Sequence, residues 1–149
     1  MKPVKKLLVA VDLSEPSKEV IEASLALAQS LDASVELVHV REPFVYALAG
    51  AYGPTQEQER ALVSWIDRAL SQASERASHA RVPCVTTSLY GSPAREIVAH
   101  AEKVGADMII VGTHGRGGLS HAVLGSVAER VVQKARRPVL AVPVGRDRE

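Results

Sequence analysis

The chain has 149 residues, 46% of them apolar, with a formal net charge of +1 at neutral pH and a mean hydropathy close to zero. That length and balance fit one globular unit with a single substantial core, and they exclude a disordered chain, which needs low hydrophobicity and high net charge. Arg136, Arg137, Arg146 and Arg148 thicken the C-terminus, but no long basic block offers a footprint for nucleic acid, and none is expected as a partner.

A single cysteine, Cys84, excludes an intramolecular disulfide, fits a reducing cytosol and reads as an inert core thiol. Near the start, LLVAV is too short for the apolar region of a signal peptide and ends in Asp12 without a small-residue cleavage site. No stretch reaches the ~18 apolar residues of a membrane span, so a cytoplasmic location is expected.

In chain order, Lys5 to Val11 (KKLLVAV) is a dense apolar run without helical spacing, the pattern of a strand buried on both faces. Ser14, Glu15 and Pro16 read as a helix start: a capping hydroxyl, an acidic first turn, and a proline where its missing N–H does no harm. In the helix that follows, Val20, Ser24, Leu27 and Leu31 line one face, widened by Ala23 and Ala28. Val35 to Val40 (VELVHV) is the second strand, in which His39 reads as a hydrogen-bonded structural histidine. Arg41 to Pro54 is an irregular connection. The long helix after it carries Leu62, Ile66, Ala69, Ala73 and Ala77 on its core face, with Trp65 just off that stripe as a packing residue.

Val82 to Leu89 is the third strand. Ser92 as N-cap and Pro93 at the first helical position open a helix that Ile97, Val98, Ala101 and Val104 carry to a C-cap at Gly105. Asp107 to Val111 (DMIIV) is the fourth strand. The last helix has Leu124, Val127, Ala128, Val131 and Ala135 on one side, and Val139 to Val142 is the fifth strand. Long apolar strands alternating with helices imply an α/β fold, a parallel sheet covered on both faces.

Open parallel sheets bind ligands beyond the carboxyl ends of their strands, where strand order reverses. Asp12, Val40 and Gly112 land on that edge. Val111 to Val127 (VGTHGRGGLSHAVLGSV) adds five glycines ahead of a helix that Gly125 and Ser126 open. A helix start favours an anion through its unpaired N–H groups and its dipole, and glycines let backbone approach a phosphate. Neither G-x-x-x-x-G-K-[ST] nor G-x-G-x-x-G is present, so the residues alone leave open a phosphate turn and a surface loop without a ligand.

Gly112, two residues, Gly115, nine residues, then Gly125-Ser126 resembles the ATP-binding signature of the universal stress proteins. KKLLVAVDLSEPS, VELVHV, GSPAREIVAHAEKVGADMIIVGTHGRGG and RRPVLAVPV extend the resemblance over nearly the whole chain. Pattern and resemblance together give the expected fold: an open, Rossmann-like five-stranded parallel sheet of order 3-2-1-4-5 with helices on both faces, residues 1–149 forming one nucleotide-binding domain. The resemblance implies that Val11 and Asp12 flank base and ribose and that Val40 offers backbone hydrogen bonds to adenine. It further implies that Val111 and Gly112 adjoin ribose and α-phosphate, while Gly115, Gly125, Ser126 and Val127 surround the phosphates; Arg116, the cation inside the loop, is grouped with them. ATP, ADP or AMP is the implied cofactor, and Mg²⁺ would be met by Ser126 only through the nucleotide.

Simpler readings stand beside these. Asp12 also suits a cap for the first turn. His114 and His121, seven apart in a loop with no carboxylate nearby in sequence, make a weak metal pair and read as solvated or phosphate-contacting. No water-orienting group is evident, so a dimeric nucleotide-loaded switch or sensor with at most slow hydrolysis is expected. An adenylyl-transferring enzyme is disfavoured, because V-D-L-S-E-P stands where such enzymes carry a loop like S-G-G-x-D-S. An interaction module with a structural nucleotide is the third reading, with an unidentified protein partner. A homodimer is expected through Val139–Val142, an apolar edge with no strand after it, which Pro143 ends.

Overall fold

The innermost strand of the sheet, β1 (Lys6–Ala10), is also its most apolar, with Leu7, Leu8 and Val9 fully buried. The computed structural model describes residues 2–43, 53–113 and 124–145. After β1 come α1 (Ser17–Leu31), β2 (Ser34–Arg41), α2 (Gln56–His79), β3 (Cys84–Tyr90), α3 (Pro93–Val104), β4 (Met108–Gly112), α4 (Ser126–Lys134) and β5 (Val139–Val142). All four pairings are parallel and the order is β3-β2-β1-β4-β5, so the direction of winding reverses between β1 and β4. This is the α/β sheet expected from the sequence.

Strand alternation divides the core in two. Leu7, Val9, Val35 and Leu37 pack with Val20, Ile21 and Leu25 of α1 and Ile66 and Leu70 of α2. Leu8, Val38 and Ile109 pack on the other face with Ile97 and Ala101 of α3 and Ala128 and Val131 of α4. Among the described residues no helix is long and apolar enough to cross a membrane.

Local chemistry shifts several boundaries and faces. α1 begins at Ser17 behind Pro16, with no side-chain cap. Ser14 does not cap it, because its hydroxyl and its N–H both donate to Asp12 Oδ1, at 2.5 and 2.9 Å. The face of α1 toward the sheet is Val20, Ile21, Ser24, Leu25 and Ala28; Leu27 and Leu31 are half-buried at its margin and Ala23 is exposed. In α2, Leu70 takes the buried place expected of Ala69, Trp65 is 44% exposed, and Thr55 and Gln58 form a reciprocal capping box. Val127 lies on the outer side of α4. Asp107 precedes β4 and ties down the start of β1, accepting from the backbone N–H groups of Lys5 and Lys6 at 3.0 and 2.9 Å. Ser92, Pro93 and Gly105 (φ +66°) bound α3 as expected, though Ser92 makes no side-chain cap bond.

β3 is an edge strand, so its exposed Val85 and Tyr90 and its half-buried Cys84 lie at the rim of the core and not inside it. Burial pushes the Cys84 thiol up, against the hydrogen bond from Ser74, in keeping with an unreactive sulfur.

Beneath α3 lies a buried ionic cluster with no counterpart in the sequence-based expectations. Glu36 of β2, 4% exposed, accepts from Thr87 Oγ1 at 2.8 Å, contacts His100 Nε2 at 2.6 Å and pairs with Lys6 Nζ at 3.1 Å. Burial raises the Glu36 carboxyl, but the bonds from His100, Thr87 and Lys6 outweigh it and hold the group below its ordinary value.

Candidate functional site

The sheet's carboxyl edge opens where β1 leaves it. Val11 N–H donates to Val38 O at 2.9 Å, the last β1–β2 backbone bond. The chain then turns through Asp12 and Leu13, whose φ of +63° is a left-handed conformation unfavourable to a branched side chain. Asp12 holds the turn, its Oδ1 also accepting from Ser17 Oγ at 2.6 Å. The cap expected of Asp12 is not formed: α1 has no side-chain cap bond, and Asp12 instead braces the turn ahead of the helix through Ser14 and the Ser17 hydroxyl. Val11 O accepts from His39 Nδ1 at 2.9 Å; since a carbonyl only accepts, Nδ1 carries the proton. This is the structural histidine expected of His39.

Along a strand the backbone groups of alternate residues point to the same side. Val38 bonds toward β1, so Val40 turns its N–H and C=O the same way, one step beyond the last bond. Arg41, between the two sides, gives its carbonyl to Gly91 N–H on the β3 side at 2.9 Å.

Across the switch point β4 ends at Gly112, beside β1. Thr113 fastens both ends of the glycine segment: its N–H donates to Val142 O at 3.0 Å and its carbonyl accepts from Gly125 N–H at 2.6 Å. Gly125 is thus returned to the end of β4. Its φ of −58° and ψ of 155° suit any residue, so the torsions there do not call for a glycine. The first intrahelical bond of α4 runs from Glu129 N–H to Gly125 O at 2.9 Å, which places the N–H groups of Ser126, Val127 and Ala128 among the helix's unpaired donors. With the helix dipole these make an anion-favouring end, and Ser126 is exposed at it.

Of the residues singled out in the sequence, Val11, Asp12, Val40, Val111, Gly112, Gly125, Ser126 and Val127 all lie on this edge. Val11 and Val111 spend their side chains on the two halves of the core. Gly115, Arg116, His114 and His121 lie outside the described residues. The sequence reading missed Thr113 as the link from the end of β4 to Val142 and Gly125, and missed what His39 bonds. Among the described residues no group of three His, Cys, Asp or Glu side chains could hold a metal ion.

A doubly wound parallel sheet, with its candidate site at the strand-order reversal and a glycine-flanked helix start facing it, defines an open Rossmann-like α/β protein. The chain belongs to the universal stress protein family, whose model matches residues 3–143. It is 36% identical over 138 residues to universal stress protein MJ0531 of Methanocaldococcus jannaschii, covering 93% of this chain and 81% of that one. Among solved structures it is similar to the hypothetical protein MJ0577, with a TM-score of 0.84, 27% identity, and coverage of 99% of this chain and 100% of the other. It also shares the fold of a universal stress protein in complex with cAMP, with a TM-score of 0.71, 22% identity, and coverage of 95% and 98%.

Proposed function

We propose that the chain binds an adenine nucleotide, ATP with ADP or AMP as alternatives, across the carboxyl edge of its sheet and works as a cytoplasmic, dimeric, nucleotide-loaded switch in the stress response. The observation that carries this reading is that the backbone edge of Val40 and the N-terminus of α4 open from opposite sides onto the same switch point. An extended residue presents a donor beside an acceptor, the complement of adenine N1 and its amino group. The α4 donors suit the phosphates, and Asp12 and Gly112 stand between, at the place of the ribose. Gly115 and Arg116 are assigned to the phosphate path from the signature. A fold relative holding cAMP accords with this choice of ligand.

Mg²⁺ fits only as the nucleotide's companion: Ser126 offers one exposed hydroxyl, and no described carboxylate cluster joins it. Held there with the nucleotide, the ion would neutralise phosphate charge; the chain's own contribution is to bind and orient through backbone N–H groups. The direct test is to denature the purified protein and analyse what it releases. Adenine nucleotide in near-stoichiometric amount supports the reading. Its absence, together with no calorimetric response to added ATP, ADP or AMP, refutes it.

With no positioned base or arginine clamp evident among the described residues, turnover is expected well below the ~1–10³ per second of typical enzymes. Phosphate release at about ten per second, lost on mutating His114 or His121, overturns the switch reading.

The dimer is assigned to β5, an edge strand whose Leu140 is 40% exposed and which ends at Pro143. A two-fold axis there joins two copies in antiparallel pairing. Val142 packs partly against the core, so Leu140→Lys is the cleaner probe. Light scattering should find wild-type dimers at tens of micromolar and folded Leu140→Lys monomers; a monomeric wild type removes the interface.

A further inference from the structure

We infer that His39 is a positioning residue that keeps the Val40 N–H available to a base, by occupying the carbonyl to which the sheet would otherwise bond it. The base-binding part rests on the nucleotide reading above; the backbone part stands without it.

The β1–β2 pairing runs from Lys6↔Ser34 to Ala10↔Val38 and closes with Val11 N–H donating to Val38 O at 2.9 Å. In a parallel ladder, a residue facing its neighbour accepts from one residue across and donates to another two positions away. The next bond in this series is therefore Val40 N–H to Val11 O. The two strands do not make it. Val11 O accepts from His39 Nδ1 at 2.9 Å instead, from a side chain only 9% exposed on the residue just before Val40.

Val11 is 5% exposed, and a carbonyl in such a place requires a donor. Two donors on β2 are within one residue of each other: the His39 ring and the Val40 N–H. With the imidazole in place, the oxygen is satisfied and β1 is released into the Asp12–Leu13 turn. With a residue that cannot donate there, the Val40 N–H is the adjacent substitute. The ladder then advances one step and closes the edge at which the base is read. The histidine does not touch the base in this account; it sets what the next residue's backbone is free to do.

The test uses isotopically labelled wild type, His39→Asn and His39→Leu. The Asn amide nitrogen falls near the place of Nδ1 and can serve Val11 O; Leu cannot. Without nucleotide, a through-hydrogen-bond coupling between Val40 N and Val11 carbonyl carbon is expected only in His39→Leu, with slower amide exchange at Val40. With ATP, His39→Leu is expected to bind about ten-fold more weakly and His39→Asn within about three-fold of wild type, the scale of one lost hydrogen bond. The inference is overturned by a Val40–Val11 coupling in wild type, or by its absence in His39→Leu with wild-type affinity. If His39→Leu does not fold, His39→Gln replaces it, since its amide nitrogen falls nearer the place of Nε2. A wild type that binds no adenine nucleotide defeats the nucleotide reading and with it the base-binding part, while the coupling still decides the backbone part.

Discussion

Valine at Gly115 or at Gly125 is expected to weaken ATP binding by ~2 kcal/mol or more, about thirty-fold, while the fold survives. At Gly125 the survival of the fold has a structural reason: its φ of −58° and ψ of 155° are open to valine, and its bond to Thr113 O is made by backbone atoms alone. The loss of affinity is expected because a branched side chain there adds bulk next to the start of α4, to which the phosphates are assigned. For Gly115 the expectation comes from its place in the signature. Calorimetry with ATP, beside circular dichroism to confirm folding, measures both. Unchanged affinity in both variants with intact dichroism removes the phosphate assignment.

Glu36→Ala is expected to cost about 3 kcal/mol of stability, the low end for breaking a buried ion pair, because Lys6 is partly exposed and can turn its ammonium to water. The loss comes from leaving Thr87 and His100 without their shared acceptor under α3. The same cluster makes stability depend on pH with a definite sign. The folded carboxyl titrates below its ordinary value, so as pH falls the unfolded chain takes up the proton first. The contribution of Glu36 is complete above that value and drains away as pH falls through the folded one. Glu36→Gln keeps the shape and loses the titration, so its stability should be lower near neutrality and flatter on the acid side. Urea unfolding of both variants across that range is the measurement. A loss under about 0.5 kcal/mol for Glu36→Ala, the scale of a neutral surface change, contradicts the account of the cluster.

The sequence carried the fold well wherever the signal was local. The runs around Leu7–Val9 and Ile109–Val111 are apolar on both faces because both faces are covered, and Ser92-Pro93 and Gly105 mark their helix by backbone geometry alone. Long-range choices were less legible. α1 carries apolar residues over a wide arc, and only packing against β1 decides that Ile21 and Leu25 turn inward while Ala23 turns out. Glu36 reads as a polar break in VELVHV; its partners Thr87 and His100 lie 51 and 64 residues away, so no window of sequence shows the cluster. At the site, the signature singled out Gly112 and Gly125. The bond from Gly125 N–H to Thr113 O, which brings the start of α4 to the end of β4, has no mark in the sequence. His39 was legible as a buried polar residue, but not as the donor to Val11, because that bond depends on where β1 leaves the sheet.

Amide chemical shifts of the labelled protein titrated with ATP test whether an adenine nucleotide lies across the carboxyl edge between β2 and α4. Saturable changes are expected at Val40, Gly112, Ser126 and Val127, with the opposite end of the sheet, at Lys6, Ser34 and Met108, unmoved. Changes confined to the groove between α2 and β3, lined by Asp67, Ser71, Ser74, Thr86 and Ser88, would contradict it, as would no change at all.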